Sequence, residues 1–111
     1  MSDRELLELA AKASGDFTTA KYYRVADDLP VVFMLNDKPW NPLTDDGDAL
    51  RLAVKLEMNV LLFSGDVRVK KGWNDGSPVF HNEDIFHSDD PYAATRRAIV
   101  RAAAEIGKGQ A

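Results

Sequence analysis

Both histidines and two of the carboxylates fall within His81-Asn82-Glu83-Asp84-Ile85-Phe86-His87, the segment best supplied with metal-ligating groups. Imidazole and carboxylate together suit a divalent ion such as zinc or manganese. On an extended backbone His81, Glu83 and His87 would project to one side. With Asp84 beside them, they would support a small metal-dependent hydrolase or nuclease. Against this, no helical His-Glu-x-x-His spacing is present, and the His-x-Glu pair lacks the Pro-Cys-x-x-Cys partner of a zinc deaminase. The favoured reading is a polar loop leading into the last helix, with no metal and no cofactor.

Other chemistries find less support. Ser14, Ser64, Ser77 and Ser88 lack a Gly-x-Ser-x-Gly elbow. The chain has no cysteine, which removes thiol catalysis, thiolate zinc, iron–sulfur clusters and disulfides together. Its glycines are scattered rather than clustered into a phosphate cradle. With 18 acidic residues, carboxylate pairs arise by chance. Asp45-Asp46-Gly47-Asp48 lacks the alternating spacing of a calcium loop. No catalytic residue is assigned, and the expectation is a protein that is not an enzyme.

Residues suited to contact rather than chemistry come next. Arg96, Arg97, Arg101 and Lys108 give the final helix a basic outer face, which could hold an acidic partner or remain a solvated surface. Trp73 and Asp75 lie at an Asp-Gly turn, where an exposed tryptophan would make an interface hot spot. Arg97, Arg101, Trp73 and Asp75 are therefore the candidate partner-binding residues.

The elements that must position them follow from periodicity. Ser2-Asp3-Arg4-Glu5 reads as a capping box opening a helix over 3–14, with Leu6, Leu9, Ala10 and Ala13 on one face and Gly15 to stop it. Residues 21–25 and 31–35 predict an antiparallel strand pair turning at Asp27-Asp28. Asn36-Asp37-Lys38-Pro39 predicts a turn. A second helix over 46–58 buries Ala49, Leu52, Ala53 and Leu56, with Asn59 as its left-handed cap. Strands follow near 60–63, 67–70 and 79–81, with Gly65-Asp66 as a hairpin loop and Pro78 marking an edge where a homodimer could form. Asp90-Pro91 starts the last helix, with Tyr92, Thr95, Ile99, Ala102, Ala103 and Ile106 on its inner face and a frayed tail from Gly107.

At 111 residues, 45% of them hydrophobic and 29% charged, the chain predicts a single domain over 1–111. The class is α+β: a single-layer, mostly antiparallel sheet of about five strands packed with three helices, in the order α-β-β-α-β-β-β-α, sandwich-like. A net charge of −4 argues against direct nucleic-acid binding. The charged opening residues carry no signal-peptide pattern, and no apolar run is long enough to span a membrane. A cytoplasmic protein, monomeric or homodimeric, is expected.

Trp40-Asn41-Pro42-Leu43-Thr44-Asp45-Asp46-Gly47-Asp48-Ala49-Leu50-Arg51-Leu52 is the most specific stretch. Acidic residues at a helix start suit the macrodipole and repel phosphate. Trp40 is predicted to pack in the core near Leu52 or Leu56, and Asp45 or Thr44 to cap the helix. Trp40, Asn41, Pro42, Asp45 and Asp48 thus form a structural motif. This junction, together with residues 3–12 and 98–107, resembles the phage ABA sandwich domain, a family of small bacteriophage and prophage proteins. The resemblance implies a sheet layered between helices and carries over no catalytic residues. It further implies a protein acting inside a bacterial cell by binding a host or phage protein. An inhibitor of a host defence system, akin to an anti-CRISPR protein, is the sharpest form of that expectation.

Overall fold

Three short polar side chains set the frame. Ser2, Asp45 and Asp90 each precede a helix, and each accepts backbone amides from the helix's first turn. Each such cap is worth about 1 kcal/mol. The computed structural model describes residues 2–15, 21–23, 32–35, 38–62, 67–71, 79–83 and 90–109. Along them run α1 (Asp3–Ala13), β1 (Lys21–Tyr23), β2 (Val32–Leu35), β3 (Lys38–Pro39), α2 (Asp46–Lys55), β4 (Met58–Leu62), β5 (Val67–Lys71), β6 (Val79–Glu83) and α3 (Pro91–Lys108).

The fold is α+β, but the described strands pair as two three-stranded antiparallel sheets, β1-β2-β3 and β4-β5-β6, rather than one sheet of about five. Lys38-Pro39, expected in a turn, returns along β2, with Leu35 opposite Lys38 and Met34 opposite Pro39. A proline has no amide to donate to a ladder, so this strand stops after two residues and the Asn41 turn follows. The helix α2 then separates the two sheets in the chain. In the second sheet Val67 and Val69 of β5 are fully buried while Arg68 is exposed, the alternation read from the sequence. Strand β6 begins directly after Pro78 and lies at an edge of its sheet. The Asp27-Asp28 and Gly65-Asp66 turns lie outside the described residues.

Two boundaries differ from expectation. The helix α2 ends at Lys55, and Glu57 takes the left-handed conformation (φ 54°) expected of Asn59. Met58 and Asn59 are needed in β4, where they pair with Lys71 and Lys70, so the chain must turn earlier. Gly107 is no frayed tail: it is buried in the last turns of α3. A Cβ there would run into the Leu9 carbonyl oxygen.

That contact explains the core. The helix α3 packs on α1, α2, β5 and β6, so it is surrounded on more than one side. Ala94, Ala98, Val100 and Ala104 are buried along with the expected Ile99, Ala102 and Ala103. Ala10 and Ala11 of α1 are buried too, and these small side chains let the two helix backbones approach closely. Tyr92, expected on the inner face, is 70% exposed. It lies in the first turn, beyond the reach of α1.

Candidate functional site

The Trp40 junction is built by side chains that hold backbone. Asn41 Oδ1 accepts the Leu43 amide at 3.0 Å, and the Asn41 amide donates to Asp48 Oδ2 at 3.0 Å. Asp45 Oδ2 accepts the Asp48 amide at 2.8 Å and caps α2, the role foreseen for Asp45 or Thr44. Arg51 donates to Asp48 Oδ1 at 2.7 Å. Asp45 and Asp48 are therefore engaged in capping and turn closure. Pro42 is fully buried, and Trp40 is half-buried against the core cluster that contains Leu52.

Arg96 belongs to this junction and not to a basic outer face. Its Nε donates to the Leu43 carbonyl at 2.9 Å and its guanidinium pairs with Asp46 at 2.6 Å, with its side chain only 16% exposed. One residue of α3 thus clamps the entry to α2. Arg97 pairs with Asp3 of α1 at 3.3 Å, Lys108 pairs with Glu105 at 3.3 Å, and Arg101 is half-buried. The basic stripe read from the sequence is distributed over separate structural contacts. Trp73 and Asp75, the other two candidate partner residues, lie outside the described residues.

The histidine segment divides. His81 lies in β6, as the strand near 79–81 predicted, and the strand runs on through Asn82 and Glu83, where a polar loop was expected; the three stand opposite Val69, Arg68 and Val67 of β5. Asp84 and His87 lie outside the described residues. Among the described residues no group of three or more metal-ligating side chains could hold an ion.

What the structure does assemble is an apolar face. The exposed large apolar side chains among the described residues are Leu50, Val54, Leu62 and Tyr92, between 64% and 70% exposed. They are adjacent. A groove of about 540 Å³ lies between α2, β4 and α3, lined by Leu50, Ala53, Val60, Leu62, Tyr92 and Ile99. A second depression, about 510 Å³, continues it past Leu50 and Ala53 to Val54, Glu57 and Met58. Single exposed leucines are ordinary, whereas a contiguous set marks a contact surface. The polar groups reaching the groove include Asp46 and Arg96, already paired with each other.

Helical geometry explains the placement. At about 100° per residue, positions 46, 49, 50, 53 and 54 share one half of α2, and 48, 51, 52 and 55 share the other. The first half faces the groove. The second faces a cleft of about 530 Å³ bounded by Trp40, Lys38, Arg51, Leu52 and Lys55. On α3, Arg97 and Arg101 point away from Tyr92, Thr95 and Ile99 by about half a turn. The sequence reading missed this face, although Leu50 and Val54, four apart and off the Ala49–Leu52–Ala53 stripe, were its visible signal. Among the described residues no helix is long and apolar enough to cross a membrane. Compared with known proteins, the chain matches no family model, no curated protein and no solved structure.

Proposed function

We propose that this protein is not an enzyme and acts by binding another protein through the α2–β4–α3 face. The observation that carries this reading is the gathering of the exposed side chains Leu50, Leu62 and Tyr92 on one groove, with Val54 on its continuation. Burying one such side chain in a complex is worth about 1.5–3 kcal/mol. A few of them together can offset part of the entropic cost of association. The resemblance of the Trp40 junction to small phage proteins extends the proposal. It makes the chain a phage or prophage accessory protein engaging a host or phage protein inside a bacterial cell, with a host-defence protein as the sharpest candidate.

Comparative capture tests this. The native chain and a Leu50→Ser/Tyr92→Ser variant serve as baits in a bacterial lysate, with bound proteins identified by mass spectrometry. Both replaced side chains are exposed, so the variant's stability should stay within about 0.5 kcal/mol of native. A protein retained by the native chain and lost from the variant is the expected result. Identical capture by both, or nothing above background with the native chain, overturns the proposal.

A further inference from the structure

Resting on that reading, we propose that the occupant of the groove is an amphipathic helix whose apolar stripe is flanked by lysine or arginine. The shape of the groove carries the first half. Its floor is small, with Ala49 and Ala53, and its walls are Leu50 of α2, Tyr92 of α3 and Leu62 at the end of β4. Leu50 and Val54 stand four residues apart and form an exposed ridge. Such a ridge interlocks with the i, i+4 rows of an incoming helix, which would anchor through i, i+3 or i+4, and i+7 side chains.

Charge carries the second half. Among the described residues, the acids lining the groove and its continuation are Asp46, whose side chain is 72% exposed and paired with Arg96, and Glu57. Asp90 adds a third beside Pro91 and Tyr92, at the α3 cap. Among the described lining residues the cation is Arg96, largely buried and held by Asp46 and the Leu43 carbonyl. The exposed cations Lys38, Arg51 and Lys55 border the cleft on the other side of α2. An acidic rim around an apolar floor attracts a basic-flanked helix and repels an acidic one. The net charge of −4 steers the same choice and opposes a second copy of the chain.

The test uses the full chain and three synthetic peptides of about four helical turns: a leucine stripe flanked by lysine, the same stripe flanked by glutamate, and a lysine peptide with the stripe scrambled. Fluorescence anisotropy gives each affinity. The lysine-flanked stripe should bind roughly tenfold or more tighter than the glutamate-flanked one at low salt, with the gap shrinking near 0.5 M salt. Binding should be lost in Leu50→Ser/Tyr92→Ser, and the preference for lysine should weaken in Asp46→Asn/Glu57→Gln. Equal binding of both striped peptides, still lost in the serine variant, overturns the charge assignment and leaves the docking face standing. Binding of the scrambled lysine peptide as tight as the striped one, or no binding of any peptide, overturns the helix assignment. A concentration-dependent dimer dissolved by the serine variant assigns the groove to a second copy and overturns it as well.

Discussion

Arg96 shows how one side chain decides where two elements meet. Its ion pair with Asp46 is half in water, since Asp46 is 72% exposed, and exposed pairs contribute about 0–1 kcal/mol. Its bond to the Leu43 carbonyl is part-buried, and leaving such an acceptor unsatisfied costs about 1–3 kcal/mol. Arg96→Ala should therefore lower stability by clearly more than Asp46→Ala, as measured by urea unfolding. Equal effects would show that only the exposed pair matters. At Trp40, Trp40→Ala should cost near the lower end of the roughly 3–5 kcal/mol range for core aromatic truncation, because the ring is half-buried against the core. A melting temperature unchanged by this substitution would place the indole outside the packing. The caps at Ser2, Asp45 and Asp90 were legible because capping is local: a short polar side chain, a fixed offset and a following apolar period. The role of Arg96 was not. Its partners lie 50 and 53 residues away, and nothing near Arg96 in the sequence separates it from Arg97.

At the scale of elements, α1 and α3 meet through small residues. Asp3 lies by Arg97 and Leu9 by Gly107, so the two helices run in the same direction. Within a helix interior, Gly→Ala ordinarily stabilises by about 1 kcal/mol. Here the added methyl group would meet the Leu9 carbonyl, a backbone atom that cannot swing away. Gly107→Ala should thus destabilise by about 1–3 kcal/mol, the usual cost of overpacking, and a gain in Tm would contradict the close approach. Glu57 is the opposite case. A left-handed conformation costs an L-residue about 1–2 kcal/mol, so Glu57→Gly should raise stability by about half that, after the entropy glycine loses. Individual strands were readable from β-branched and aromatic runs, but their division into two sheets was not. Pairing depends on which strands meet in space, and the alternation in Val67-Arg68-Val69-Lys70 says only that one face is buried.

For the whole molecule, burial is concentrated around α3, which contacts both other helices and two strands of one sheet. The amides of Ala98 to Ala104 and of Val67 and Val69 should exchange with solvent most slowly, and those near Leu50 and Leu62 sooner, in a native-state hydrogen-exchange experiment. Uniform protection across α2 and α3 would mean that the exposed face is as tightly held as the core. The α+β class was legible because element types follow from period. The apolar face was legible only in part: Leu50 and Val54 stood off the inward stripe of α2, while Tyr92 was assigned to the core on periodicity alone. Periodicity identifies a face of a helix but not whether a neighbour covers it.

The pairing of α1 with α3 also sets an order in time. Asp3 and Arg97 touch although 94 residues separate them, and α1 is an 11-residue helix, a length that is marginal on its own in water. On a ribosome, α1 emerges well before its packing partner α3. Until then Leu6, Leu7, Ala10 and Ala11 have no α3 to pack on. The nascent chain therefore carries α1 uncommitted while the residues between Asp3 and Arg97 are made, and α3 closes that pairing in one step. Chains stalled before Pro91 should be cut readily by protease between Leu6 and Ala13, and chains that include α3 should resist at the same bonds.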